Sequence, residues 1–273
     1  MENFVQGEPI YYAHALASSF KRVRVLPFSD IHFKNPLFSE KHFIRYLHML
    51  SVPENYGVLN GDLIEAVTKV SKGDIYKQDL SPQEQAAWMT NKLLPYKEKF
   101  LGMTMGNHEK RIYDLVGHDY CQEIAAALGI PYRAEGLLLK VSFGSNNEGH
   151  KEKPYTYWVY MTHGYGGART KSAKAVKAER LANWIDADVY IQSHDHVVNI
   201  APDVYLVPDP RTHKNKDGWM VGKVRARRKM LVKSGAFLKW GGYSEMGGFP
   251  PVDLEMPIIT LYGEGKPRVK VEV

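Results

Sequence analysis

At 273 residues, 44% of them hydrophobic and 24% charged, the chain has the composition of an ordinary folded protein and the length for a sizeable core, which excludes a disordered or fibrous polymer. A net charge of +6 and a pI near 9.1 lean toward anionic partners without identifying one. The single cysteine, Cys121, excludes an internal disulfide and a thiolate cluster, so a bound metal has only nitrogen and oxygen ligands to draw on.

The opening stretch "MENFVQGEPIYYAHALASSFKR" has no basic start followed by an apolar run, and no window is long and apolar enough to span a bilayer. The expectation is a cytoplasmic protein without membrane contact. Runs of β-branched, aromatic and aliphatic residues predict strands at 23–28, 56–60, 100–105, 136–143, 155–161, 188–192, 204–207, 229–234, 258–262 and 268–273. Ser81, Pro82 and Glu84 supply an N-cap, a first-turn proline and a capping-box partner for one helix. A second is predicted over 109–128, stopped by Gly129 and Pro131, and a third over 168–185 with Ala173, Val176, Leu181 and Trp184 as its buried stripe. The segment 144–154 reads as an exposed hairpin loop. Strands alternating with helices, followed by a strand-rich last third that forms a second sheet, predict an α/β layered β-sandwich flanked by helices, spanning residues 1–273 as a single domain.

The residues just past each strand are more informative than the strands. The run at 23 ends in "SDIH", that at 56 in "NGDLIE", that at 100 in "GNHEKR", that at 155 in "THGYGG" and that at 188 in "SHDH". Strand ends of α/β sheets form the crevice where ligands bind, so Asp30, His32, Asp62, Asn107, His108, His163, His194 and His196 can meet in space. Each motif alone has a commonplace explanation: Asp30 as a helix cap, Asp62 as a turn former, Asn107 as a left-handed turn residue, His163 as a satisfied core histidine. Five such accidents, each just past an apolar run, are a poorer explanation than one shared cause. A carboxylate can bridge two cations, while neutral imidazoles and an amide oxygen complete their shells without repelling an anionic substrate. That mixed donor set suits manganese, iron or zinc better than magnesium or calcium.

In these five motifs, read as D30-I-H32, G61-D62-L-I-E65, G106-N107-H108-E109, H163-G164 and S193-H194-D195-H196, the sequence resembles the calcineurin-like metallophosphoesterase superfamily over about residues 25–197. The resemblance implies that superfamily's four-layer sandwich and a dinuclear centre of two divalent metal ions, manganese first, with iron, zinc or nickel as alternatives. It implies that Asp30, His32 and His196 hold one ion and Asn107, His163 and His194 the other, with Asp62 between them. His108 would contact the phosphoryl group and assist the leaving oxygen, and Glu65 would hydrogen-bond His108 and keep it oriented and protonated. The implied reaction is attack of a metal-bound hydroxide on phosphorus. Two departures stand out: Ser193 replaces a glycine, and "GDLIEAV" lacks the arginine with which the family's protein phosphatases grip a phosphomonoester.

The expectation is therefore a phosphodiesterase, with nucleic acid as the candidate substrate. The alternatives are a phosphomonoesterase of the same family and a catalytically silent metal-binding scaffold. Arg169 is the first candidate for a phosphate contact, followed by Lys110 and Arg111. The basic segment 169–180 fits the outer side of a helix as a solvated face. A second basic segment, "KVRARRK" at 223–229, precedes a late strand. The aromatic "FLKWGGYSEMGGF" at 237–249 is expected to pack as a loop, with a base-stacking rim as its alternative.

Overall fold

The computed structural model describes residues 10–69, 71, 75–147, 150, 151, 153–251 and 254–273. In chain order the elements are β1 (Tyr12–Ala15), β2 (Arg22–Phe28), α1 (Glu40–His48), β3 (Asn55–Asn60), α2 (Pro82–Leu93), β4 (Phe100–Thr104), α3 (Asn107–Val116), α4 (Tyr120–Leu128), β5 (Leu137–Phe143), β6 (Asn146–Asn147), β7 (His150–Lys151), β8 (Tyr155–Thr162), α5 (Lys171–Trp184), β9 (Val189–Gln192), β10 (Asn199–Lys214), β11 (Met220–Lys233), α6 (Tyr243–Met246), β12 (Ile258–Tyr262) and β13 (Val269–Glu272). One sheet has the order β1-β5-β8-β9-β11-β10 and the other β13-β12-β2-β3-β4, and β6 pairs only with β7. Residues 148, 149 and 152 of the expected hairpin loop lie outside the described residues.

Alternation along the strands builds the layers. Val23, Val25 and Val58 face one way, into a core shared with Leu139, Val159, Ile191 and Val232 of the other sheet. Leu26, Phe28 and Leu59 face the other way, against Phe43 of α1, Met89 of α2 and Ile124 of α4. On the far side of the six-stranded sheet, Ala178, Leu181 and Ala182 of α5 pack on Tyr190 and Leu231. The result is the expected α/β sandwich of two sheets flanked by helices.

Three details differ from expectation. The helix predicted over 109–128 is two helices, because Gly117 takes a left-handed conformation (φ 72°) at the end of α3 and Asp119 caps a new helix by accepting from Gln122 N–H. In α5 the buried stripe is Lys174, Ala178, Leu181 and Ala182, whereas Ala173 is exposed and Val176 and Trp184 are 43% and 69% exposed. The last third does not form a sheet of its own: β10 and β11 extend one sheet while β12 and β13 extend the other. The capping box at Ser81 forms as the sequence requires, with Ser81 Oγ accepting from Glu84 N–H and Glu84 Oε2 accepting from Ser81 N–H.

Candidate metal centre

Strand β2 runs parallel to β3 and β8 parallel to β9, so the residues just past Phe28, Asn60, Thr162 and Gln192 reach one edge, where they meet the start of α3. Close approach of two loops is essential there. A Cβ on Gly106 would lie 2.0 Å from Asp62 N and 2.1 Å from Asp62 Oδ1, and one on Gly61 would lie 2.4 Å from Gly106 N. Only glycine fits at either position.

The backbone is unusual at this edge. Asp30, His32, Asp62, His194 and His196 all have positive φ, between 49° and 71°, a region that costs a non-glycine residue about 1–3 kcal/mol. The surroundings hold them there. Ile31 N–H and His32 N–H donate to Asp62 O, Phe237 N–H donates to Asp30 O, and His194 N–H donates to Asp30 Oδ2 at 3.1 Å.

Among the described residues, side chains converge in three groups: Asp30 with His32 and His196, Asp62 with His163 and His194, and His32 again with Glu65 and His108. Asp62 stands between the first two: Oδ1 accepts from His108 N–H at 2.8 Å, while Oδ2 lies 3.2 Å from His163 Nε2 and 3.6 Å from His32 Nε2. Asn107 Oδ1 joins the second group, 2.6 Å from His194 Nδ1 and 3.1 Å from His163 Nε2. Each of four imidazoles has one nitrogen tied to the protein. His32 Nδ1 is held by Glu65 Oε2 at 3.0 Å, His163 Nδ1 by Asn60 O at 2.7 Å, His108 Nδ1 by Glu65 O at 2.7 Å and His194 Nε2 by Gly166 O at 2.5 Å. The second nitrogen of His32, His163 and His194 is left aimed into the cluster, the arrangement that orients metal-binding histidines.

Electrostatics agree with cation binding. Burial disfavours charge on all of these groups; it prevails at His194, which is lowered, whereas at His32, His163, Asp30 and Asp62 the coulombic and hydrogen-bonding contacts outweigh it. His32 is raised to about 9 by Glu65, Asp62 and Asp30, and His163 to about 10, chiefly by Asp62. In return Asp62 is held well below the usual carboxylate range by His163 and His108, and Asp30 is lowered to about 2 by His196. Asp30 Oδ1 is buried without a well-formed hydrogen bond among the described residues, its ion-pair contact being His196 Nε2 at 3.2 Å, and His32 Nε2 and His196 Nε2 face each other at 3.1 Å. An orphaned carboxylate oxygen beside opposed ring nitrogens is a donor set that a divalent cation fits.

In its five sequence motifs the chain resembles the calcineurin-like metallophosphoesterases. Among solved structures it is similar to Vps29 from Chaetomium thermophilum, at 14% identity over 93% of this chain and 96% of that one, with a TM-score of 0.36. It is also similar to a conserved uncharacterized protein, a predicted phosphoesterase, from Streptococcus pneumoniae (12% identity, 93% and 100% covered, TM-score 0.37). A third likeness is to the NAD nucleotidase of Haemophilus influenzae (11% identity, 91% and 49% covered, TM-score 0.41). No family model and no curated protein matches the chain. At these TM-scores the likenesses leave the residues themselves to indicate what the site does.

Several residues act differently from expectation. The Glu65 carboxylate serves His32, and it is the Glu65 backbone carbonyl that holds His108; Glu65 Oε2 lies 3.7 Å from His108 Nδ1. His108 is not kept protonated: burial, with help from His32 and Arg111, outweighs Asp62 and Glu65 and lowers it to about 4. Arg169 is exposed and has no hydrogen-bond or ion-pair partner among the described residues, whereas Arg111 is half-buried with Nε and Nη2 buried and unpartnered. Lys110 is exposed and pairs with Asp114. Ser193 does not have positive φ, so no glycine is needed, and its hydroxyl meets Asn60 Nδ2 at 2.6 Å and Ser234 Oγ at 2.7 Å. In the 237–249 segment Phe237 is buried, and Trp240 donates its ring N–H to Phe249 O.

Two supports went unpredicted. Glu109, fully buried, accepts from the N–H groups of Asp62, Leu63 and Ile64 at 2.7–3.1 Å and so shapes the Asp62 loop. Burial and the Asp62 charge push its carboxyl up to about 7. Asp195, between the two motif histidines, is gripped by Lys177 at 2.9 Å and Lys233 at 2.5 Å, while Lys174 donates to its carbonyl. The basic face of α5 thus turns two of its lysines inward instead of solvating them.

Proposed function

We propose that this chain is a metal-dependent phosphodiesterase. The observation that carries the reading is the convergence of Asp30, His32, Asp62, Asn107, His163, His194 and His196 on one sheet edge, with His108 and Arg111 beside it. Asp30, His32 and His196 are assigned to one cation and Asn107, His163 and His194 to the other, with Asp62 shared and manganese the first candidate. When bound, such ions supply Lewis acidity: they neutralise charge on phosphoryl oxygens and acidify the attacking water.

The chain's own groups do the rest. His108 donates its Nδ1 proton to Glu65 O, so Nε2 is the atom left to exchange a proton with the reacting oxygens. Burial holds the free ring neutral, and an arriving phosphoryl anion favours its protonated form. Glu65 orients His32 and His108 together. Arg111 has two buried, unpartnered nitrogens and presents a planar donor fork to a phosphoryl oxygen. The loop after Asp62, "GDLIEAV", lacks the arginine that grips a monoester in the family's protein phosphatases, which favours a diester, the less charged ester.

Comparing hydrolysis of bis-p-nitrophenyl phosphate and p-nitrophenyl phosphate with manganese present tests the reading. The diester is expected to be the better substrate, and His108→Ala is expected to keep its metal while losing about 10²–10⁴ in rate. Activity confined to the monoester, or full activity in His108→Ala, refutes it.

A further inference from the structure

The strands β10 and β11, 16 and 14 residues long, outrun the sheet that holds them. Met230–Lys233 of β11 pairs with β9; from Lys229 back to Met220 its partner among the described residues is β10 alone. Because Lys233 is level with Gln192, next to the metal-ligand cluster, the free ribbon leaves by the opposite edge. Its outer part is exposed on both faces. Leu206 is 73% exposed and Val224 58% on one face, Val207 and Arg225 are exposed on the other, and Trp219 and Met220 are 71% and 64% exposed, so no layer among the described residues covers it. A lone two-stranded ribbon is at best marginally stable in water, which marks this one as an element shaped for a partner.

Charge says which partner. Between Asp203 and Lys229 the ribbon carries eight lysines and arginines against three aspartates, a net +5 of the chain's +6. Some cations already have acidic partners: Arg227 pairs with Asp186 and Asp188, Lys229 with Asp186, and Arg211 and Arg225 with Asp209 on the ribbon itself. Lys214, Lys216, Lys223 and Arg228 are exposed and have no acidic partner among the described residues. These cations lie along a narrow element with Trp219 at its tip.

We propose that the outer β10–β11 ribbon docks duplex nucleic acid. A major groove about 12 Å wide admits a two-stranded ribbon, and an element solvated on both faces can enter it. As a statement about substrate class this rests on the phosphodiesterase reading, but binding is measurable without turnover. At about 3.3 Å per residue β10 is roughly 50 Å long, so a duplex touching both the ribbon tip and the metal-ligand cluster needs about 15 base pairs or more.

The test is fluorescence anisotropy of the full chain with labelled DNA in EDTA, using a 30-base-pair duplex, a 10-base-pair duplex and the 30-nucleotide single strand. The 30-base-pair duplex is expected to bind at least tenfold more tightly than the other two. In K214Q/K216Q/K223Q, shown to be folded by its circular dichroism and melting curve, affinity should fall at least tenfold. The slope of log affinity against log salt should fall by about two to three. An unchanged slope in the variant, or single strand bound more tightly than duplex, overturns the proposal even if the wild type hydrolyses a chromogenic diester. Failure to hydrolyse that diester while duplex binding obeys the expected slope removes the phosphodiesterase reading and upholds the ribbon. A dimer in sedimentation velocity that the same substitutions dissociate, with no duplex binding, overturns the proposal in favour of a second copy on the ribbon.

Discussion

Asp195→Asn is expected to destabilise the metal-free protein by about 3–5 kcal/mol, although Asp195 is not one of the proposed ligands. The size comes from the charge left behind. Lys233 is 1% exposed and its ammonium contacts Asp195 Oδ2 and Gln192 Oε1. Burial lowers the Lys233 pKa and the Asp195 charge opposes that, so the carboxylate is what keeps the ammonium charged in the interior. An amide of the same shape cannot do so, and the loss is a fifth or more of a typical folding free energy of about 5–15 kcal/mol. Lys233→Met removes the stranded charge. The double variant Asp195→Asn/Lys233→Met should therefore recover most of the loss, giving a coupling of about 2 kcal/mol or more in a double-mutant cycle. Urea unfolding in EDTA at pH 7 measures all four corners. Additive effects, or a cost for Asp195→Asn below about 1 kcal/mol, would show that the ion pair does not hold this loop.

Three further outcomes are expected. Gly106→Ala places a methyl 2.0 Å from Asp62 N, where both loops are backbone-bound, and should cost about 1–3 kcal/mol or more and lower the metal content found by elemental analysis. Manganese titration of the metal-free protein at pH 7 should release about two protons, because His32 at about 9 and His163 at about 10 are charged there and must be neutral to bind. Their raised folded values stabilise the metal-free protein fully below pH 6.5 and lose that effect as pH rises through 9–10, so metal affinity should climb over the same range. Release of no protons, measured calorimetrically in buffers of different ionisation enthalpy, would contradict this. Arg111→Met should lower kcat/KM for a diester about ten- to a hundredfold, the worth of a charged hydrogen bond, and leave metal content unchanged.

The strand pattern was legible because core strands carry their signal locally. All ten predicted strands lie within or close to observed ones, and β1 alone among the longer strands was missed. Tyr12–Ala15 is an edge strand that among the described residues pairs with β5 alone and is half-buried on one side, and in the run "IYYAHALA" its alanines and His14 carry little β-signal. The ribbon was underestimated for a different reason. The expected strand stops at 207, before Pro208, Asp209 and Pro210, yet pairing resumes past a register slip between Pro208 and Thr212. The α5 stripe was misread because Lys174 belongs to it: a lysine counts as outward in any helical pattern, and only the distant Asp195 draws it in. Compensation of that kind is a tertiary fact with no local trace.

The site divides along the same line. Residues that must be aimed at a shared point stand at strand ends in recognisable spacings, and five of them adopt left-handed backbone that aspartate and histidine tolerate better than branched residues. Together those conformations cost about 5–15 kcal/mol, the scale of a whole folding free energy, so they persist only if neighbours enforce them. The enforcers are Glu109 beneath the Asp62 loop, Asp195 with its lysines between His194 and His196, and the glycines that let the loops touch. Each is ordinary in sequence, a helix-surface glutamate or the middle letter of a motif. The proposed ligands could thus be read from their types and order, whereas the residues that hold them in strained conformations became visible only when the loops were seen against one another.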